Sequence, residues 1–180
     1  MNVTIHRRCR DADRAEQRIH EIGEQAGQLV AQHLGARLPS VDITLTDRGG
    51  MAKLIQQTDL GLAGGSTWHR RAIGRVIDHW HARHAFAVTT LSPTGALVVI
   101  DATRHRDLRE LDRTLLHEFA HAVQLAQPGA RDRHIAYLRQ QYGAIEHNKA
   151  YQQTYEQLMD VREQQAENLE ALASRLPKGH

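Results

Sequence analysis

The 180-residue chain predicts an α+β fold: a small mixed or antiparallel sheet packed against helices, in a single domain spanning residues 1–180. Two observations carry that prediction. Stretches with helical periodicity open and close the chain, and short alternating or continuous apolar runs occupy its middle. Apolar residues make up 41% and aromatics only 4%, so Leu, Ile, Val and Ala must fill most of the core.

The first helix is predicted from about Asp11 to Leu38. Ala15, Ile19, Ile22, Ala26, Leu29 and Val30 recur at threes and fours among charges, and Pro39 stops it. "SVDITLTD" alternates Val41, Ile43 and Leu45 with polar residues, a strand signal. Gly49, Gly50, Gly61, Gly64 and Gly65 then mark a loop region, with one short helix near Met51 to Gln57. That region lacks the Gly-Lys-Ser/Thr ending of a phosphate loop, which argues against nucleotide binding. Ala85 to Leu91 and Ala96 to Asp101 flank Ser92, Pro93, Thr94 and Gly95 and read as a hairpin, with Leu97 to Ile100 expected at the sheet edge. Helices follow from about Leu108 to Leu125, from Asp132 to Tyr142, and from Asn148 to Leu176, ended by Pro177.

The helix at Leu108 to Leu125 contains "TLLHEFAHAVQ". A helix turns about 100° per residue, so His117 and His121 lie on one face and can bind one Zn2+. Glu118 sits one step round, where it can take a proton from a water whose pKa zinc lowers toward about 7. The flanking Leu115, Leu116, Phe119, Ala120, Ala122 and Val123 bury this helix, and buried imidazoles and carboxylates require partners. The single cysteine, Cys9, excludes a cysteine-based zinc ribbon and a disulfide framework.

Three residues compete for the third ligand position: His147, Glu163 and His134. If the last helix is continuous, Tyr151, Tyr155, Leu158, Val161, Leu169, Leu172 and Leu176 form an apolar stripe within roughly 80° of His147. Glu163 then falls roughly 160° away, facing solvent beside Glu156, Glu167 and Glu170. This phase favours His147. Tyr151 and Tyr155 are read as core residues, either of which could also donate to an oxyanion.

"TLLHEFAHAVQ" followed by His147, Asn148 and Tyr151 resembles the SprT-like group of zincin metalloproteases, over roughly Ala96 to Asp160. The resemblance implies a long N-terminal helix, a small sheet, zinc on His117, His121 and His147, Glu118 as general base, and hydrolysis of peptide bonds in a protein or peptide substrate. The chain lacks the four-cysteine ribbon of many relatives, which puts a DNA-linked role in doubt. The long interval between His121 and His147 is a second departure. "EQQA" at Glu163 to Ala166 is similar instead to the E-x-x-A pattern of ImmA/IrrE-like regulatory proteases, which implies Glu163 as third ligand. A reading from another class is a non-catalytic, zinc-stabilised module that binds DNA or protein.

The net charge of +2 gives no whole-chain case for nucleic acid. Residues 69–84 concentrate Arg70, Arg71, Arg75, Arg83 and four histidines near Trp68 and Trp80. They read as a DNA-contacting face or, as Ile73, Val76, Ile77 and Trp80 suggest, as an amphipathic helix. His79, His81 and His84 could form a second metal site. The charged start and the lack of a long apolar run predict no signal peptide, no membrane span and a cytoplasmic protein.

Overall fold

A computed structural model describes residues 1–64, 85–146 and 148–179. The basic segment 69–84 and His147 lie outside the described residues. The fold is α+β, with five helices and a four-stranded mixed sheet among the described residues. In chain order the elements are β1 (Asn2–Ile5), α1 (Ala12–Leu34), β2 (Val41–Thr46), α2 (Arg48–Leu62), β3 (Ala87–Leu91), β4 (Ala96–Asp101), α3 (Leu108–Leu125), α4 (Ala130–Gln141) and α5 (Lys149–Leu169). A 3-10 helix, Glu170–Arg175, continues α5. No helix among the described residues is long and apolar enough to cross a membrane.

The strand order is β1-β2-β4-β3. β1 and β4 both run parallel to β2, and β3 pairs antiparallel with β4. The hairpin expected from the turn residues is therefore present, but its edge is not where the sequence put it. Leu97 to Ile100 belongs to an inner strand, and among the described residues β3 is the edge. Side chains alternate across a strand. Val98 and Ile100 enter the main core with Val41, Ile43 and Leu45, against α1 and α3. Leu97 and Val99 face the other way, onto Met51 and Ile55 of α2. Both sheet faces are thus covered.

α1 ends earlier than Pro39 requires. Gly35 adopts φ 59°, the left-handed region that glycine enters without steric cost, and its N–H caps Ala31 and Gln32 carbonyls. α2 replaces most of the expected loop. Asp47 caps it by accepting from the Gly50 N–H at 2.6 Å, and burial of Met51 and Ile55 offsets the low helix propensity of its glycines. β1 was not evident in the sequence.

α1 and α3 are tied by a buried ion pair. Arg18 donates through Nε and Nη2 to the two carboxylate oxygens of Asp112 at 2.9 and 2.7 Å, and through Nη2 to the Pro177 carbonyl at 2.5 Å. Arg18 is 2% exposed and Asp112 4%. This holds the chain's last turn against the start of α3 and fixes the helix that carries the site.

Candidate metal centre

α3 packs its apolar side into the main core, with Leu111, Leu115, Phe119 and Ala122 fully buried. The opposite shoulder of the helix presents His117 and His121 to α5. Their Nε2 atoms lie 3.0 Å apart. Glu163 of α5 reaches both: Oε1 is 3.2 Å from His117 Nε2 and Oε2 is 3.2 Å from His121 Nε2. The three ligand atoms all lie within 4.8 Å of one another.

The outer nitrogen of each imidazole is also held. His117 Nδ1 lies 3.1 Å from Oε1 of Glu170, and His121 Nδ1 lies 2.9 Å from Oε1 of Gln124. Gln124 Nε2 donates to the Arg162 carbonyl and to Gln165 Oε1, both at 3.0 Å, so its Oε1 is the acceptor. Both partners of the Nδ1 atoms accept, which puts the ring protons on Nδ1 and turns the Nε2 lone pairs toward Glu163. Two nitrogen lone pairs and a carboxylate aimed at one point call for a cation there. Imidazole and carboxylate are zinc donors, and a carboxylate behind a ligating histidine is a common zinc-site arrangement. The residues therefore fit a metal of this class.

Without a metal, protons take the cation's place. Burial pushes the His117 imidazole down, but the hydrogen bond to Glu163 and the Glu118, Glu163 and Glu170 charges outweigh it and raise the group to about 9. His121 is raised in the same way, burial being outweighed chiefly by Glu163. The same two hydrogen bonds hold the Glu163 carboxyl well below the usual carboxylate range.

Glu118 is only 5% exposed. Its Oε2 accepts a 2.6 Å hydrogen bond from the Thr89 hydroxyl on β3. The site opens into two clefts. One, of about 760 Å³, is bordered by Val88, Thr89, His134, Met159 and Arg162; the other, of about 380 Å³, by Phe86, Glu110, Arg113 and Glu170. Both are walled by Ala85 and by Ala87, the first residue of β3.

His117, Glu118 and His121 come together as the sequence predicts. Glu163 is half exposed, as its position on α5 implies, but its carboxylate turns back onto both histidines instead of out to solvent, and the helix-phase expectation is corrected to that extent. The buried line of α5 is Tyr155, Arg162, Ala166 and Leu169, whereas Val161 is 68% exposed. The small Ala166 and the long stem of Arg162 make the helix contact that branched side chains were expected to make. Leu172 and Leu176 lie beyond the end of α5 and do not share its phase. Glu170, also expected to face solvent, binds His117.

His134 lines the larger cleft, but its Nδ1 is 2.7 Å from the Tyr155 hydroxyl, and it is not among the grouped ligand atoms. Tyr151 donates to the Arg133 carbonyl at 2.7 Å, and Tyr155 is buried and stacked on Tyr137. Asn148 caps α5, its side chain accepting from the Tyr151 N–H at 3.0 Å. The Asn-x-x-Tyr pattern thus has a structural role of its own. Glu163 lies about 22 Å of helix axis beyond that cap.

Gln124, Glu170 and Thr89 were missed by sequence reasoning. Gln124 follows His121 by three and Glu170 follows Glu163 by seven, spacings that share a helix face. Thr89 carries no such signal. No known family model, curated protein or solved structure matches the chain.

Proposed function

We propose that the chain is a zinc-dependent metallopeptidase of zincin-like architecture, with His117, His121 and Glu163 as ligands and Glu118 as general base. The observation that carries the reading is the convergence of two Nε2 atoms and one carboxylate beside a second, separately held carboxylate. This donor set matches the ImmA/IrrE-like resemblance and differs from the three-histidine set of the SprT-like one.

A zinc ion held by these donors supplies Lewis-acid chemistry toward a water and a substrate carbonyl. The chain's own residues do the rest. Thr89 occupies Oε2 of Glu118 and fixes the carboxylate, leaving Oε1 to take a proton from the attacking water and return it to the leaving amine. Glu170 and Gln124 hold the imidazoles in one tautomer. Among the described residues no strand pairs with the outer edge of β3. A substrate segment adding there as an extended strand carries its carbonyls past Thr89 toward Glu118.

Glu118→Gln tests the reading. The variant keeps fold and zinc and loses cleavage of casein or of the chain itself. Zinc-loaded wild-type protein that cleaves nothing, with or without DNA, favours the non-catalytic module instead.

A further inference from the structure

The start of α1, the residues leading into α3 and the C-terminal turn enclose an open cleft of about 690 Å³. Five cations line it: Arg14, Arg106, Arg109, Arg113 and Lys178. All are exposed, and among the described residues none forms an ion pair with a carboxylate.

The three carboxylates of the lining are already engaged. Asp107 caps α3 through the Arg109 N–H at 2.9 Å. Asp112 is neutralised by Arg18, and Glu170 lies against His117. The cleft therefore carries a surplus of positive charge that no internal group answers. Concave surfaces lined by one sign of charge attract the opposite sign, and guanidinium forks match carboxylates in a bidentate manner.

Position indicates which anion. Arg113 and Glu170 line both this cleft and the smaller pocket that reaches His117, Glu118 and Glu163. Arg113 is one helical turn before His117 and Arg109 one turn earlier, roughly 6 and 12 Å along α3. An extended polypeptide advances about 3.3 Å per residue. Side chains about two to four residues from a peptide bond held at Glu118 thus meet Arg113 and Arg109.

We propose that this cleft recognises substrate, selecting polypeptides with Asp or Glu about two to four residues to one side of the scissile bond. The inference rests on the metallopeptidase reading, and its test separates the two. Zinc-loaded Glu118→Gln protein is titrated with fluorescein-labelled peptides of one length, carrying Glu, Gln or Lys clusters, and with an oligothymidine of matching charge. The Glu peptide binds at least about tenfold more tightly than the Gln peptide, and the gap narrows with salt. Arg109→Glu/Arg113→Glu, checked for unchanged zinc content and circular dichroism, loses that preference and favours the Lys peptide. Equal binding of the Glu and Gln peptides, a preference untouched by the charge reversal, or tighter binding of the oligothymidine overturns the proposal. Wild-type casein cleavage without acidic preference in binding sinks the cleft assignment alone. Acidic preference lost on charge reversal, without any cleavage, upholds the recognition cleft and sinks the peptidase reading.

Discussion

Replacing Gln124 with methionine keeps the side chain's length and removes its polar contacts. Gln124 is 1% exposed, so water does not replace what is lost. Three hydrogen bonds go: to the Arg162 carbonyl, to Gln165, and from His121 Nδ1. At about 1 kcal/mol each, the metal-free protein loses roughly 2–3 kcal/mol of stability, read as a lower urea midpoint. The consequence for the metal is separate. His121 loses the acceptor that fixes its tautomer, and removal of such an outer partner weakens metal binding by about 10–100-fold. That is about 1.4–2.7 kcal/mol of zinc affinity, measurable by competition with a chromophoric chelator. A zinc affinity within about twofold of wild type, despite the lower urea midpoint, would refute the claim that Gln124 orients a ligand.

Other perturbations reach different parts of the account. Asp112→Asn takes the buried carboxylate from the Arg18 guanidinium, leaving only the half-exposed Glu21 on it at 2.7 Å, and should cost about 1.5–3 kcal/mol in denaturant unfolding; a loss under about 1 kcal/mol would show that the pair does not hold α1 to α3. Thr89→Val should lower kcat by at least about tenfold with zinc content and KM little changed, and Thr89→Ser should restore most of it, because only the hydroxyl fixes Glu118. Burial pushes His134 down to about 4, the Arg162 charge adding to it, with Tyr155 as its hydrogen-bond partner. The unfolded chain then binds the extra proton between pH 6.5 and about 4, so this contribution is complete above pH 6.5 and fades as pH falls toward 4. Compared with His134→Gln, the wild type should lose about 2 kcal/mol more between pH 7 and pH 5; parallel pH dependences in urea titrations would contradict this.

Strong local signals were legible. The hairpin, the bounds of α3 and the trio His117, Glu118 and His121 follow from turn residues and from the helical spacing of the apolar residues around the histidines. What escaped depends on contacts between distant segments. β1 is four residues, Asn2 and Thr4 exposed and Val3 and Ile5 half-buried, made a strand by pairing with β2. α2 is rich in glycine and is held by its cap and by Val99 across the sheet. The face that α5 buries is set by how closely it approaches α3, which favours Ala166 and Arg162 over Leu158 and Val161. A hydrophobic stripe read from the sequence alone therefore sends Glu163 out to solvent and misses the reach of its carboxylate back to the two histidines. Gln124 escaped for a related reason: a glutamine reads as surface until its two helices are seen to meet over it.

The central claim is the identity of the third ligand, and bound zinc per chain tests it most directly. Measured on purified wild type, Glu163→Ala and His147→Ala at equal chelator concentration, the account predicts zinc near one per chain in wild type and His147→Ala, and its loss in Glu163→Ala. Zinc retained by Glu163→Ala and lost by His147→Ala would contradict it.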